Sequence, residues 1–385
     1  MDKKKKGQYF TVSDKLQQFV FDKVKYKSAP LLEPSFGAGH LLKKFKESNP
    51  DYPITCYELD NSIPSIIPFN TFQTPIYADF TKQKIPQLFK TIVANPPYVK
   101  QKNKSNLYIS FVEICFNLLD TQGEMIFIVP SDFIKLTSAS QLIDSMVKQG
   151  SFTDFLFPHD EKLFEGANVD VLVFRYEKGL VTKTAIVNGK PSLCNVNNGI
   201  ITFSDTEVKG NPLLHKFNVF VGLVSGKDDV YRNPLGNIDI LTDKGRVEKY
   251  IFTEEFPTGD PRIDAHLNAN KPQLLERRIR KFNEKNWFEW GAPRNIKTIQ
   301  ANLGKPCIYV RNMTRSQEVA FIDTVQYFGG SLLCLIPKGQ TTKDLEATVA
   351  FLNTKNLQKD YTYSGRFKIG HKQVCSIIIP ETESV

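Results

Sequence analysis

The sequence predicts an α/β protein, with a doubly wound, mostly parallel sheet in its first half and a second domain of mixed structure after it. Three observations carry this. Short apolar runs alternate with helix-patterned segments from residue 13 to about residue 180, the pattern of crossover connections between parallel strands. One run, "GEMIFIVPSDF" at 123–133, is apolar with little alternation, as a strand covered on both faces must be. Beyond about residue 208 the alternation fades, turn residues become frequent and aromatics gather, as in "NEKNWFEWGAPRN" at 283–295. A chain of 385 residues is long for one core and suits two domains, placed here at 1–207 and 208–385.

The elements follow in order. Residues 1–6, with lysines at positions 3–6, read as a flexible, solvated basic tail. Residues 13–24 read as a helix, capped by Ser13, with Leu16, Phe19, Val20 and Val24 at helical spacing. "APLLEPSFGAGHLLKKFKES", 29–48, reads as strand, glycine loop and helix. "ITCYELD" at 54–60 is a second strand, "TPIYADF" at 74–80 holds a short third, and "KTIVANPPY" at 90–98 is the fourth. That strand must stop at Pro96-Pro97, because neither proline has an N–H to give to a ladder. "SFVEICFNLLD" at 110–120 is a helix, 123–133 a strand, and "DVLVFRYE" at 170–177 one more.

Composition narrows the class. Hydrophobic residues are 41% and charged ones 24%, an ordinary globular balance. No run approaches the ~20 apolar residues of a membrane span and no signal peptide is evident, so a cytoplasmic protein without membrane attachment is expected. Cys56, Cys115, Cys194, Cys307, Cys334 and Cys375 form no Cys-x-x-Cys pair, and the five histidines show no ligand spacing. Reduced thiols and no metal site are expected. Net charge is +9, with 22 basic against 20 acidic residues in 1–180 and 28 against 21 in 181–385. The excess in the second half suits either a solubility bias or a polyanion held there.

Three signals converge on one cofactor. In "LLEPSFGAGHLL", Glu33 closes the first strand, and Gly37 and Gly39 allow a tight turn and close approach to a ligand; alone, this fits many nucleotide folds. Glu58, nineteen residues after Gly39, closes the second strand where a carboxylate can accept from both hydroxyls of a ribose. Asp79 and Phe80 follow the third strand. They suit an adenine's amino group and ring, and read equally as a helix cap and a core Phe. Glu33 beside the loop would repel a pyrophosphate and attract an ammonium. S-adenosylmethionine has a ribose and an amino group and no phosphate, so the charges favour it over NAD or ATP.

The turn Asn95-Pro96-Pro97-Tyr98 offers acceptors beside a stacking surface. An amino nitrogen conjugated to a ring is a poor nucleophile, because its lone pair is delocalised. The Asn95 side-chain oxygen and the Pro96 carbonyl can each take one N–H, which draws the nitrogen toward tetrahedral geometry and aims its lone pair at a methyl donor. Tyr98 would stack on the ring.

The series "GQYFT", "LLEPSFGAG", "CYELD", "YADF", "ANPPY", "EMIFIVP", "LFEGANVDVLVFRY" resembles the TaqI-like, gamma-order adenine-N6 DNA methyltransferases of type II restriction-modification systems. "VGLVSGKDDVYRN" (221–233) and "YSGRFKIGHKQVCSIIIP" (363–380) are more loosely similar to segments of such enzymes' recognition halves. The resemblance implies a Rossmann-like class I methyltransferase domain and a C-terminal target-recognition domain. It implies site-specific methyl transfer from S-adenosylmethionine to an adenine flipped out of double-stranded DNA. A monomer is the default expectation for this chain, and a separately encoded restriction endonuclease is a partner the family allows. Tyr9, Phe10 and Thr11 would close over the methionine part of the cofactor, Glu33 would face its amino group, Glu58 would bind the ribose, and Leu59, Asp79 and Phe80 would hold the adenine. Asn95, Pro96, Tyr98 and Phe164 would hold the target base. Arg277, Arg278, Arg280, Lys281, Arg294, Arg311 and Arg315 are the candidate DNA contacts. "NPPY" also occurs in protein glutamine methyltransferases, so amide methylation, or methylation of RNA adenine, stands as the alternative. The basic second half and Phe164 speak for DNA.

Overall fold

Alternate residues of the central strands feed two separate cores. In the computed structural model, which describes residues 11–68, 75–100, 106–158, 170–207, 209–339, 341–363 and 365–380, the chain divides into two units, Met1–Glu207 and Val208–Val385. In the first unit β1 (Leu31–Glu33), β2 (Ile54–Glu58), β3 (Ile76–Tyr77), β4 (Phe89–Ala94) and β5 (Leu119–Pro130) run parallel in the order β3-β2-β1-β4-β5. β6 (Gly150–Leu156) and β7 (Val171–Lys178) continue it as β5-β7-β6, with β7 antiparallel to both neighbours. This is the Rossmann-like class I methyltransferase arrangement that the motifs imply.

Period-2 geometry sends Ile92, Ala94, Met125, Phe127 and Val129 to one face, where α3 (Leu107–Leu118) and α4 (Ser140–Val147) cover them. Val93, Ile126 and Ile128 point to the other, against α1 (Asp14–Lys23) and α2 (Lys43–Ser48) through Leu16, Val20 and Phe45. Ser13 caps α1 as expected, its Oγ accepting from the Leu16 N–H at 3.4 Å. Helix α3 starts at 107 rather than 110, and its C-cap Leu119 enters β5 directly. Strand β6, helix α4 and the hairpins beyond β6 are additions to the sequence reading. Those hairpins are β8 (Thr184–Val187), β9 (Lys190–Asn197) and β10 (Ile200–Ser204). They turn at Asn188-Gly189 and Asn198-Gly199, all four at positive φ, as two-residue hairpin loops of this type require.

In the second unit a four-stranded antiparallel sheet is the frame, built from β11 (Phe217–Val221), β12 (Pro306–Arg311), β13 (Ala320–Thr324) and β14 (Leu332–Pro337) in the order β11-β14-β12-β13. Both its faces are buried. Cys307, Tyr309 and Cys334 join Trp287, Phe288 and Trp290 on one side, while Ile308, Val310 and Leu335 join Leu345 and Leu352 on the other. The aromatics of 283–295 are therefore core, and the Trp290 indole donates to the Ile251 carbonyl at 2.7 Å. Among the described residues no helix is long and apolar enough to cross a membrane, and no cluster of three His, Cys, Asp or Glu residues could hold a metal ion.

Candidate active site

Open α/β sheets bind ligands beyond the carboxyl ends of their strands, where the strand order reverses. Here that point lies between β1 and β4, which pair directly. Glu33 ends β1 and Asn95 follows β4, so the sheet brings the two ends of the predicted site together.

The corner after β4 is braced. Pro96 is buried, and Asn95 and Tyr98 are half-buried. The Asn95 Nδ2 donates to Thr11 Oγ1 at 2.9 Å. Its Oδ1 accepts from the Tyr98 hydroxyl at 2.6 Å, and that hydroxyl also lies 3.1 Å from the Ile128 carbonyl. An amide oxygen carries two lone pairs, so Tyr98 alone does not exhaust it. The Tyr98 ring lies edge-on to Tyr108, centroids 6.1 Å apart, and touches both cores of the unit.

On the other side of the switch point the Glu33 carboxylate is 1% exposed. Its Oε1 accepts from the Ser35 N–H at 3.0 Å and the Ser35 hydroxyl at 3.1 Å. Burial, against these two bonds, pushes its pKa up to about 8, and Glu58 adds to the rise. Glu58 pins the loop: its Oε2 accepts from the Gly37 N–H at 2.7 Å and its Oε1 from the Asp60 N–H at 2.8 Å. A carboxylate has about four acceptor positions, so a diol could still bind. Gly39 has φ 89°, and a Cβ there would sit 2.7 Å from the Phe36 ring, which packs into the core beneath the loop. Leu59 is 73% exposed at the end of β2. Asp79 caps the turn Phe80–Lys82, accepting from the Thr81 hydroxyl at 2.6 Å and N–H at 3.1 Å and pairing with Lys82 at 3.1 Å. These bonds, Thr81's hydroxyl first, lower its pKa.

Phe80 is 3% exposed, stacked on Phe111 and edge-on to Tyr57. One expectation is corrected. Arg277 is buried and spends its donors on the carbonyls of Leu274, Ser225, Glu289 and Trp287, with its guanidinium 3.8 Å from the Phe282 ring centroid. It holds the second unit together and is not available to a phosphate. Arg311 is largely engaged as well, bonded to Asp243 at 2.6 Å and to the Glu318 carbonyl, and Arg280 pairs with Glu289 at 2.5 Å. Arg278, Lys281, Arg294 and Arg315 are exposed and make no ion pair among the described residues. Tyr9, Phe10 and Phe164 lie outside the described residues. The sequence reading missed Gln17, which sits 3% exposed on the buried face of α1 beside Leu16 and Val20; the available signal was an amide on an apolar stripe.

Residues 40–164 match the family described as Eco57I restriction-modification methylase. The chain is similar to the type II methyltransferase M.HincII of Haemophilus influenzae, 30% identical over 204 residues that cover 46% of this chain and 39% of that protein. It is similar to the type II methyltransferase M.TthHB8I of Thermus thermophilus, 26% identical over 179 residues, covering 40% of each. The chain thus spans about two fifths of the length of these curated relatives. In fold it is similar to the type IIL restriction-modification enzyme MmeI, solved in complex with DNA, with a TM-score of 0.59 at 9% identity over 94% of this chain and 65% of that one. The resemblance to restriction-modification methylases read from the motifs is borne out.

Proposed function

We propose that this chain is a site-specific DNA methyltransferase of the gamma motif order, carrying the methyl group of S-adenosylmethionine to N6 of an adenine flipped out of duplex DNA, as the modification enzyme of a restriction-modification system. The observation that carries this reading is the Asn95-Pro96-Pro97-Tyr98 corner, fixed at the end of β4 beside the Glu33 and glycine-loop end of β1. The residues fit the cofactor. Two carboxylates, Glu33 and Glu58, face the loop that would otherwise hold a phosphate, and they suit an ammonium and a ribose diol. The sulfonium supplies an electrophilic methyl group, so no metal is needed for the transfer.

Each remaining step belongs to the chain. Asn95 Oδ1 and the Pro96 carbonyl accept the two amino hydrogens of the target and aim its lone pair. Tyr98 stacks on the base from one side and Phe164 from the other, offsetting the few kcal/mol that flipping costs. Glu33 faces the cofactor's amino group, Glu58 its ribose, Leu59, Asp79 and Phe80 its adenine, and Gly37 and Gly39 admit close backbone approach. Tyr9, Phe10 and Thr11 close over the methionine end. Exposed cations of the second unit contact phosphates, and duplex DNA is the partner.

The test is incubation of the full chain with tritiated S-adenosylmethionine and, separately, plasmid DNA, RNA and protein extract. Label is expected in DNA, recovered as N6-methyladenine after digestion to nucleosides. In the same assay Asn95→Ala should lose at least about a hundredfold in rate while still binding cofactor. Label confined to RNA or protein, or a near-parental Asn95→Ala, overturns the reading.

A further inference from the structure

The plane of an asparagine carboxamide is not set by the residue itself, because its terminal torsion is broad and roughly two-fold. If Asn95 accepts an amino hydrogen from the target, something outside it must hold that plane. Thr11 does so at one end, through Nδ2 at 2.9 Å, and the Tyr98 hydroxyl at the other, at 2.6 Å. Thr11 is in turn fixed from α1: Gln17 Nε2 donates to the Thr11 carbonyl at 2.7 Å. The chain Gln17–Thr11–Asn95–Tyr98 is thus one hydrogen-bonded series, running from a helix of the scaffold to the corner after β4.

Gln17 has a second peculiarity. Its side chain is 3% exposed, on the same face as Leu16 and Val20, and its Oε1 is buried with no hydrogen-bond partner among the described residues. A buried acceptor left unmatched costs stability, and an apolar side chain of the same length would avoid the cost. Packing therefore does not account for a glutamine at this position; the bond made by its other end does.

We propose that Gln17 is a positioning residue: by holding the Thr11 carbonyl it sets the Thr11 hydroxyl against Asn95 Nδ2 and so fixes the plane of the carboxamide that receives the target amine. This rests on the methyl-transfer reading above. It assigns Thr11 a task distinct from closing over the cofactor, and it gives α1 a part in catalysis without contact to any substrate.

The experiment uses the full chain and a plasmid DNA first shown to accept label from the parent. Single-turnover methylation at saturating S-adenosylmethionine, cofactor Kd by calorimetry and Tm are measured for Gln17→Met, Thr11→Val, Thr11→Ser and the Gln17→Met/Thr11→Val pair. Gln17→Met is expected to slow methylation about 10- to 100-fold, with the cofactor Kd nearly unmoved and Tm little changed, since the unmatched Gln17 oxygen is gone while the Thr11 carbonyl loses its donor. Thr11→Val should be comparably slow and Thr11→Ser, which keeps the hydroxyl, much faster. The pair should be little worse than either single variant, as expected of residues acting in series. A Gln17→Met enzyme at parental rate overturns the proposal, and so does a loss of rate matched by weaker cofactor binding or by a drop in Tm. A parent that labels no DNA overturns the methylation reading itself, and the role of Gln17 with it.

Discussion

Glu33 is a carboxyl group that burial drives toward neutrality. Its ordinary value of 4.5 rises to about 8 in the folded chain. Between those values the folded state binds one proton more than the unfolded state, so stability falls as pH rises through that window. The slope is at most about 1.4 kcal/mol per pH unit, levelling off above the folded value. Glu33→Gln should flatten this dependence, measured as urea midpoints from pH 5 to 8; an equally steep variant would assign the titration to another group. The same proton couples to ligand. A cofactor ammonium favours the charged carboxylate, so binding near pH 7 should release a proton from the parent and none from Glu33→Gln. Calorimetry in two buffers of different ionisation enthalpy reads this directly.

At the scale of elements, the parts legible in the sequence are those whose local pattern agrees with their final environment. The Ser13 cap and the spacing of Leu16 and Val20 gave α1, the unbroken apolar run gave β5, and Pro96-Pro97 marked the end of β4. The hairpins β8 to β10 were marked by two Asn-Gly dipeptides and were passed over because their strands, half-exposed in β9, lack a buried run. Arg277 was misread for a different reason: a guanidinium carries the same letter in a site and in a core, and only three-dimensional neighbours distinguish the two. Glu124 makes the point within β5. It is fully buried, and it accepts from the Lys25 and Tyr26 N–H groups at 2.8 and 3.1 Å and from Arg175 at 2.9 and 2.7 Å. It ties the exit of α1 and strand β7 to β5. Breaking a buried ion pair by removing one partner leaves a stranded charge, although Glu177, 2.6 Å from Arg175, softens that here. Glu124→Ala should cost about 3 kcal/mol in urea unfolding of the first unit; a change below about 0.5 kcal/mol would mean that Glu177 alone satisfies the arginine.

At the scale of the whole molecule, the charge excess of the second half divides into cations that hold the fold and cations that face solvent. Arg277 belongs to the first group, with four carbonyls and an aromatic ring around it. Arg278, the very next residue, is exposed, as are Lys281, Arg294 and Arg315. Electrostatic binding to DNA releases counterions, so each lost phosphate contact should lower the slope of log K against log salt by about one. The two groups therefore fail differently. Arg277→Met should orphan buried carbonyls and lower Tm, at a cost of about 3 kcal/mol. Arg278→Gln, Lys281→Gln, Arg294→Gln and Arg315→Gln should each leave stability within about 0.5 kcal/mol of the parent, and those that touch phosphate should reduce the salt slope. Fluorescence anisotropy on a duplex from 50 to 300 mM salt, paired with thermal melts, separates the two. An Arg277→Met chain with parental Tm and a reduced slope would return that guanidinium to the DNA. A quadruple Gln variant with an unchanged slope would remove these four cations from the interface and leave phosphate contact to other surfaces of the chain.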